Sequence, residues 1–318
     1  MKKIFSLLLF FFSIFSLAAC SNNEKVDIVS TNFVGYDFSK SIAPDLKCKM
    51  LLKPGEELHG YSPSVSDIEM IINSKIFIYI GGESDSEFVE NDILKEIDLN
   101  KTKVINMMDV VKNKGNVYDE EDPDSYIDDN NNHNHEEEEE EYDEHIWNSI
   151  SNAKIIATEI YDNIRAIYGR DKYISNYSKL DSSLTELDAR FSEMISKANK
   201  KIVIFADRFP LLYFVKEYNL EYDAAFKGCD TSKEANPKTI EKLTKKVIDN
   251  DLKIIFTIEL SEAKIAGAII ENCKKEGKNV LNKTFYTMHN VSKTDYNKGL
   301  TYIDYMNMNY EVLKEALN

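Results

Sequence analysis

Beyond residue 20 the sequence has no apolar run long enough to cross a bilayer, so the bulk of the chain is expected to be soluble. It has no excess of basic residues either. Lys and Arg number 39 against 55 Asp and Glu, a net charge of −16, which excludes the basic surface that nucleic-acid binding needs. Close-spaced metal motifs are missing: there is no H-x-x-x-H pair and no H-E-x-x-H. A secreted metallo-hydrolase therefore lacks a recognisably placed general base, and no enzyme is expected. Cysteine is sparse, with 4 in 318 residues. Setting Cys20 aside leaves Cys48, Cys229 and Cys273, an odd and scattered set. They form neither a disulfide framework nor a zinc motif, and small buried hydrophobes is the plainest expectation for them.

What is present begins at the N-terminus. Lys2 and Lys3 precede an apolar run from Ile4 to Ala19, then the exit Leu17-Ala18-Ala19-Cys20. A charged start, a short greasy stretch and small exit residues mark a secretory signal over 1–20. The exit resembles a bacterial lipobox, in which Cys20 is acylated and becomes the mature N-terminus. An uncleaved anchor is the alternative, but the run falls short of the ~20 residues of a spanning helix. Two acyl chains hold stably where one holds marginally, so the body is expected on the extracytoplasmic face of the cell membrane, tethered through Cys20. The negative charge is concentrated in one segment: 119–144 holds many Asp and Glu, including the run Glu136–Glu141, and no Lys or Arg. Outside it the chain is close to balanced. Such a block reads as a solvated linker, although His133 and His135 within it could hold a metal loosely and raise its local concentration.

Short β-branched runs alternate with helical patterns. Strands are expected at Val26–Thr31, Lys47–Leu52, Ile76–Ile80 and Lys103–Asn106, and again at Lys201–Ala206, Glu221–Phe226, Lys253–Glu259 and Val280–Tyr286. Helices are expected at Ser66–Ser74, Ser84–Ile97, Pro210–Tyr218, Pro237–Asp249 and Glu262–Lys275, with Asn236 capping the fourth. Alternation implies parallel sheets covered on both faces, and two sets imply an α/β protein of two lobes. Two long helices, 148–168 and 171–198, lie between the sets. The second carries one apolar stripe from Tyr173 to Ile195, a rigid spine rather than a linker. A last amphipathic helix is expected over 295–317. The lobes are placed at 21–170 and 200–318, with the spine at 171–199.

Five His are present: His59, His133, His135, His145 and His289. His59 follows the second strand, His145 precedes the first long helix, and His289 follows the last strand. Asp207 and Glu259 also stand at strand ends. Ligands of open parallel sheets bind beyond the carboxyl ends of the strands, so these donors converge on one rim. Imidazole with carboxylate suits zinc, manganese or iron.

The stretch LKPGEELHGYSPSVSD over 52–67 resembles the "PG…H-x-Y-x-P-x-x-x-D" loop of the metal ABC-transporter solute-binding lipoproteins, the zinc and manganese family. Residues 76–85 resemble that family's strand end. EHIW over 144–147 is similar to its "D-P-H-x-W" motif, and the tail from His289 to Leu317 resembles its C-terminal segment in a Gram-positive subgroup. The acidic, His-bearing segment sits where zinc-type members often carry one. The resemblance implies a periplasmic-binding-protein-like fold of cluster A-I type and a monomer. It implies capture of Zn2+ as cargo, with Mn2+ or iron as rival, and delivery to an ABC permease and its ATPase. It also implies metal ligation by His59 and His145. One departure stands out: where the family has "F-H-D-A-F", this chain reads FADRF over 205–209, and Ala206 cannot bind metal. The replacement is His289, Asp207, Glu259 or a water. His289 is preferred because the family's last ligand also follows the final strand, giving a three-His site suited to tetrahedral zinc. A surface adhesin on the same fold is the rival from another functional class.

Overall fold

The computed structural model describes residues 25–56, 60–119, 142–169, 171–226, 228 and 236–318. Eight strands form two four-stranded sheets, all of whose pairings are parallel. The first contains β1 (Ile28–Ser30), β2 (Cys48–Met50), β3 (Ile76–Tyr79) and β4 (Lys103–Asn106) in the order β2-β1-β3-β4. The second contains β5 (Ile202–Phe205), β6 (Glu221–Ala224), β7 (Ile254–Ile258) and β8 (Leu281–Phe285) in the order β6-β5-β7-β8. Each strand lies within the run expected for it. In both sheets the strand order reverses beside the first strand, which opens a crevice at the carboxyl ends where ligands characteristically bind.

Among the described residues eight longer helices cover the sheets: α1 (Phe33–Ile42), α2 (Val65–Asn73), α3 (Met107–Lys114), α4 (Ile150–Tyr168), α5 (Ile174–Lys197), α6 (Pro237–Asp249), α7 (Lys264–Lys275) and α8 (Tyr302–Leu317). Asn236 caps α6 as expected, its side chain accepting from the Lys238 amide. The continuous helix expected over 84–97 is instead a short turn at Ser86–Phe88 followed by a π-helical stretch, Val89–Ile93. Asp85 explains the late start. Its carboxylate accepts from the amides of Ile80 and Gly81 and from Thr31 Oγ1, which ties residues 82–85 back onto β3. The tail is two helices rather than one, Lys293–Lys298 and α8. Gly299 at φ +73° ends the first, and Thr301 and Asp304 form a capping box that starts the second.

The inner faces of both sheets share one apolar cluster. It joins Phe38, Ile78 and Trp147 to Phe191, Phe205, Phe256 and Phe285, while two smaller clusters fill the outer faces. Helix α5, about 36 Å long at ~1.5 Å per residue, buries Leu180, Leu184, Leu187, Phe191, Met194 and Ile195 and packs against α1, α4 and α8. The N-terminus of α4 is closed from the other lobe: Ile150 and Ser151 donate their amides to the Glu217 carboxylate at 2.7 and 3.0 Å. Cys48 and Cys273 are free thiols, and burial pushes Cys48 up to about 12. Cys229, Cys20 and most of the acidic segment, with His133 and His135, lie outside the described residues. Among the described residues no helix is long and apolar enough to cross a membrane.

Asp37 on α1 holds the first amide of α8, accepting from Tyr302 N at 2.9 Å. Burial pushes its carboxyl up to about 7, against the opposing pull of that bond. Between pH ~4 and 7 the folded protein therefore keeps a proton here that the unfolded chain has lost, so this group's stabilisation declines as pH rises, by up to about 1.4 kcal/mol per unit. Asp37→Asn should abolish that decline. Denaturant unfolding of both proteins at pH 5 and 7.5 checks it, and parallel pH profiles would contradict the assignment.

Candidate metal centre

Among the described residues, Glu144, His145 and His289 are the group that brings potential ligand atoms together, all within 4.8 Å of one another and all buried. His145 Nε2 lies 3.1 Å from His289 Nδ1, and Glu144 Oε1 is 4.0 Å from His145 Nε2. Two imidazole nitrogens on a tetrahedral zinc stand about 3.3 Å apart, given zinc–nitrogen bonds of ~2.0 Å. The two rings are thus already near the spacing that one ion requires.

Each donor is held by a carboxylate or an aromatic. His145 sits just ahead of a single 3₁₀ turn, Ile146–Asn148. Asp143 Oδ1 accepts from its backbone amide at 2.8 Å and lies 3.0 Å from Nδ1. A carboxylate at Nδ1 places the proton there and leaves the Nε2 lone pair for a metal, the usual outer-shell device of metal sites. Tyr213 fixes Asp143 in turn, its hydroxyl donating to the Asp143 carbonyl at 2.8 Å. Trp147 packs against both rings, with centroids 5.5 Å from His145 and 6.4 Å from His289, and donates Nε1–H to the Thr287 carbonyl at 2.8 Å.

His289 is carried by the loop after β8, which Glu259 at the end of β7 braces. The Glu259 oxygens accept from Thr287 N at 2.8 Å and from Thr287 Oγ1 at 2.7 Å. Burial raises this carboxyl and those donors oppose the rise. The neighbour of His289 reaches the other lobe: Asn290 Oδ1 accepts from Gly55 N at 3.2 Å, and its side-chain amide donates to the Glu56 carbonyl. The loop that leads to His59 is therefore clasped by the loop that carries His289.

Glu144 faces the turn after β3. Ser84 donates its amide to Oε2 at 2.8 Å and its hydroxyl to Oε1. Gly82 makes room, since a Cβ there would fall onto the Glu144 side chain, 2.6 Å from Oε2. Asp85 next to this turn is pushed up to about 6, chiefly by burial, with the Glu144 charge adding to it.

Of the residues singled out in the sequence, the structure brings His145 and His289 together, and His59 lies outside the described residues. Glu259 stands behind the His289 loop as its brace, with both oxygens engaged. Asp207 is half-buried and turned into its own loop, Oδ1 accepting from Arg208 N at 2.9 Å. Ala206 is buried and offers no donor. Sequence reasoning passed over Glu144 as a donor, and Asp143 and Asn290 as supports. The adjacency of Asp143 and Glu144 to His145 was the available signal.

Three comparisons bear on this site. The family description "zinc-uptake complex component A, periplasmic" matches residues 28–316. The chain is 27% identical over 324 residues to the zinc-binding lipoprotein AdcA of Streptococcus pneumoniae, covering 99% of this chain but 61% of the relative, so it spans about three fifths of that protein. It is also 27% identical over 316 residues to the high-affinity zinc uptake system protein ZnuA of Bacillus subtilis, covering 94% and 90% of the two chains. Among solved structures, the metal-dependent lipoprotein YcdH of Bacillus subtilis superposes with a TM-score of 0.70 at 23% identity, over 92% of this chain and all of that one, a likeness of fold.

Proposed function

The chain belongs to the zinc-uptake complex component A family, and on that premise we propose that it is an extracytoplasmic receptor that captures zinc between its lobes and passes it to a membrane permease driven by an ATPase. The observation that carries this reading is the pair His145 and His289, 3.1 Å apart and contributed by opposite lobes. His59, on the loop clasped by Asn290, is assigned as a further ligand. Nitrogen donors in this number favour zinc over the oxygen-preferring manganese. With the Asp143 carboxylate at Nδ1, His145 offers its Nε2 lone pair; for His289 to ligate through Nδ1 its ring proton must reside on Nε2, and protonation of either ring competes with the metal. Binding is thereby linked to pH.

The shared apolar cluster and the α5 spine support small movements on loading rather than a wide hinge. We assign lobes to 21–170 and 200–318 with the spine at 171–199, and Cys20 as the lipid anchor that keeps the receptor beside its permease. The test is elemental analysis of the purified protein after exposure to zinc and exhaustive dialysis. One zinc per chain is expected, and a protein carrying substoichiometric zinc under those conditions would sink the reading.

A further inference from the structure

Resting on that reading, we propose that Glu144 is a direct ligand of the captured ion, so that the first lobe supplies a carboxylate beside His145 while the second supplies His289. Its Oε1 already lies 4.0 Å from His145 Nε2. Closing that separation to the ~3.3 Å between donors on a tetrahedral ion asks for a movement well under 1 Å.

The surroundings are built for such a role. Ser84 holds the carboxylate through both oxygens, its amide on Oε2 and its hydroxyl on Oε1. That is the same arrangement by which Asp143 orients His145: an outer hydrogen bond fixes a ligand and sharpens its aim. The turn after β3 is shaped around this side chain, because Gly82 lacks the Cβ that would occupy its place. The other acidic candidates at the rim stand apart from this group. Glu259 spends its oxygens on Thr287, and Asp207, which accepts from the Arg208 amide through Oδ1, is not among the donors gathered with His145 and His289. With Ala206 in the second lobe, a neutral set of imidazoles would carry no compensating negative charge. Glu144 provides one at the ion itself.

Glu144→Gln keeps the volume and an acceptor for Ser84 while removing the charge. Zinc affinity should fall by more than about 100-fold, beyond the loss typical of an outer-shell partner, and the visible spectrum of the cobalt-loaded protein should change as an anionic oxygen leaves the ion. Glu144→Asp should recover part of the affinity, and Ser84→Ala, which keeps the charge and loses only aim, should cost less than Glu144→Gln. A loss smaller than about 100-fold, which is the range of an outer-shell partner, or a superimposable cobalt spectrum, would overturn the assignment. Should the variants not fold, a structure of the zinc-loaded wild type decides it. Either Glu144 oxygen at ~2.0–2.2 Å from the ion supports the assignment, and both beyond ~3 Å overturn it. Wild-type protein that takes up no zinc defeats the proposed function itself, whereas loaded wild type with an unaffected Glu144→Gln variant defeats the Glu144 assignment alone.

Discussion

Replacing His289 by Ala is expected to lower zinc affinity by more than about 100-fold, beyond the loss typical of an outer-shell partner. On the proposed reading His289 is the donor that the second lobe brings to the group, so its removal would take away a bond between the lobes and the ion. The loop itself should survive. Its backbone is held through Thr287, Glu259 and Asn290, and the His289 amide, which the substitution keeps, donates to Thr287 Oγ1 at 3.3 Å. The metal-free variant loses the bond to His145 and the packing of a buried ring on Trp147, so it should be destabilised by about 1–3 kcal/mol while still folding. It should also lose the added stability that zinc confers, ~2.7 kcal/mol at a hundredfold excess over Kd. Competition against a chromophoric chelator and thermal melts with and without zinc read both quantities. A variant that binds zinc within threefold of wild type would show that the ligand replacing the family's third His is something else.

The same geometry explains why a missing donor at Ala206 need not empty the site. In the second lobe the loop after β8 is fixed at three points: Glu259 beneath it, Trp147 against it, and Gly55 with Glu56 across the cleft. A histidine presented there is held by bonds that reach both lobes. On the proposed reading, a rigidly placed donor on the β8 side stands in for the one that Ala206 does not supply on the β5 side.

The sheets were legible from sequence because buried parallel strands write themselves as short β-branched runs, and all eight runs became strands. The amphipathic stripe of α5 was equally readable. Helices α1 and α3 were not expected, though each follows a strand directly and begins at an asparagine cap, Asn32 and Asn106. The capping signal was there, but at most two residues, Thr31 and Asn32 in the first case and none in the second, separate each strand from its helix. The break in the tail was also written, as Gly299 followed by Thr301 and Asp304. Periodicity continued through it and masked it. At the site, His145 and His289 could be named from motif and position, whereas their 3.1 Å approach could not, because it depends on two lobes meeting. Glu144 was hidden for a different reason. Its use is set by Gly82 and Ser84, some sixty residues away, and no local pattern records that contact.

Trp147→Ala is expected to destabilise the protein by about 3–5 kcal/mol, a large share of the 5–15 kcal/mol typical of a folded domain. Trp147 is the sole tryptophan of the chain and is 1% exposed. Its ring lies against both histidines and in the apolar cluster that joins the two sheets. Truncation removes that packing and strands the Thr287 carbonyl, which would lose its Nε1–H donor at a further cost of ~1–3 kcal/mol where water cannot enter. The bond from the Tyr302 hydroxyl to the Trp147 carbonyl, 2.8 Å, is made to the backbone and should persist. Trp147→Phe separates the two contributions, since it restores much of the packing and none of the hydrogen bond. Guanidinium unfolding followed by far-ultraviolet circular dichroism measures both variants, because the change removes the tryptophan fluorescence. The order expected is wild type, then Phe, then Ala, with zinc affinity falling in the same order as the His289 loop loosens. A Trp147→Ala loss under about 1 kcal/mol would mean that the ring merely lines the site and does not join the lobes.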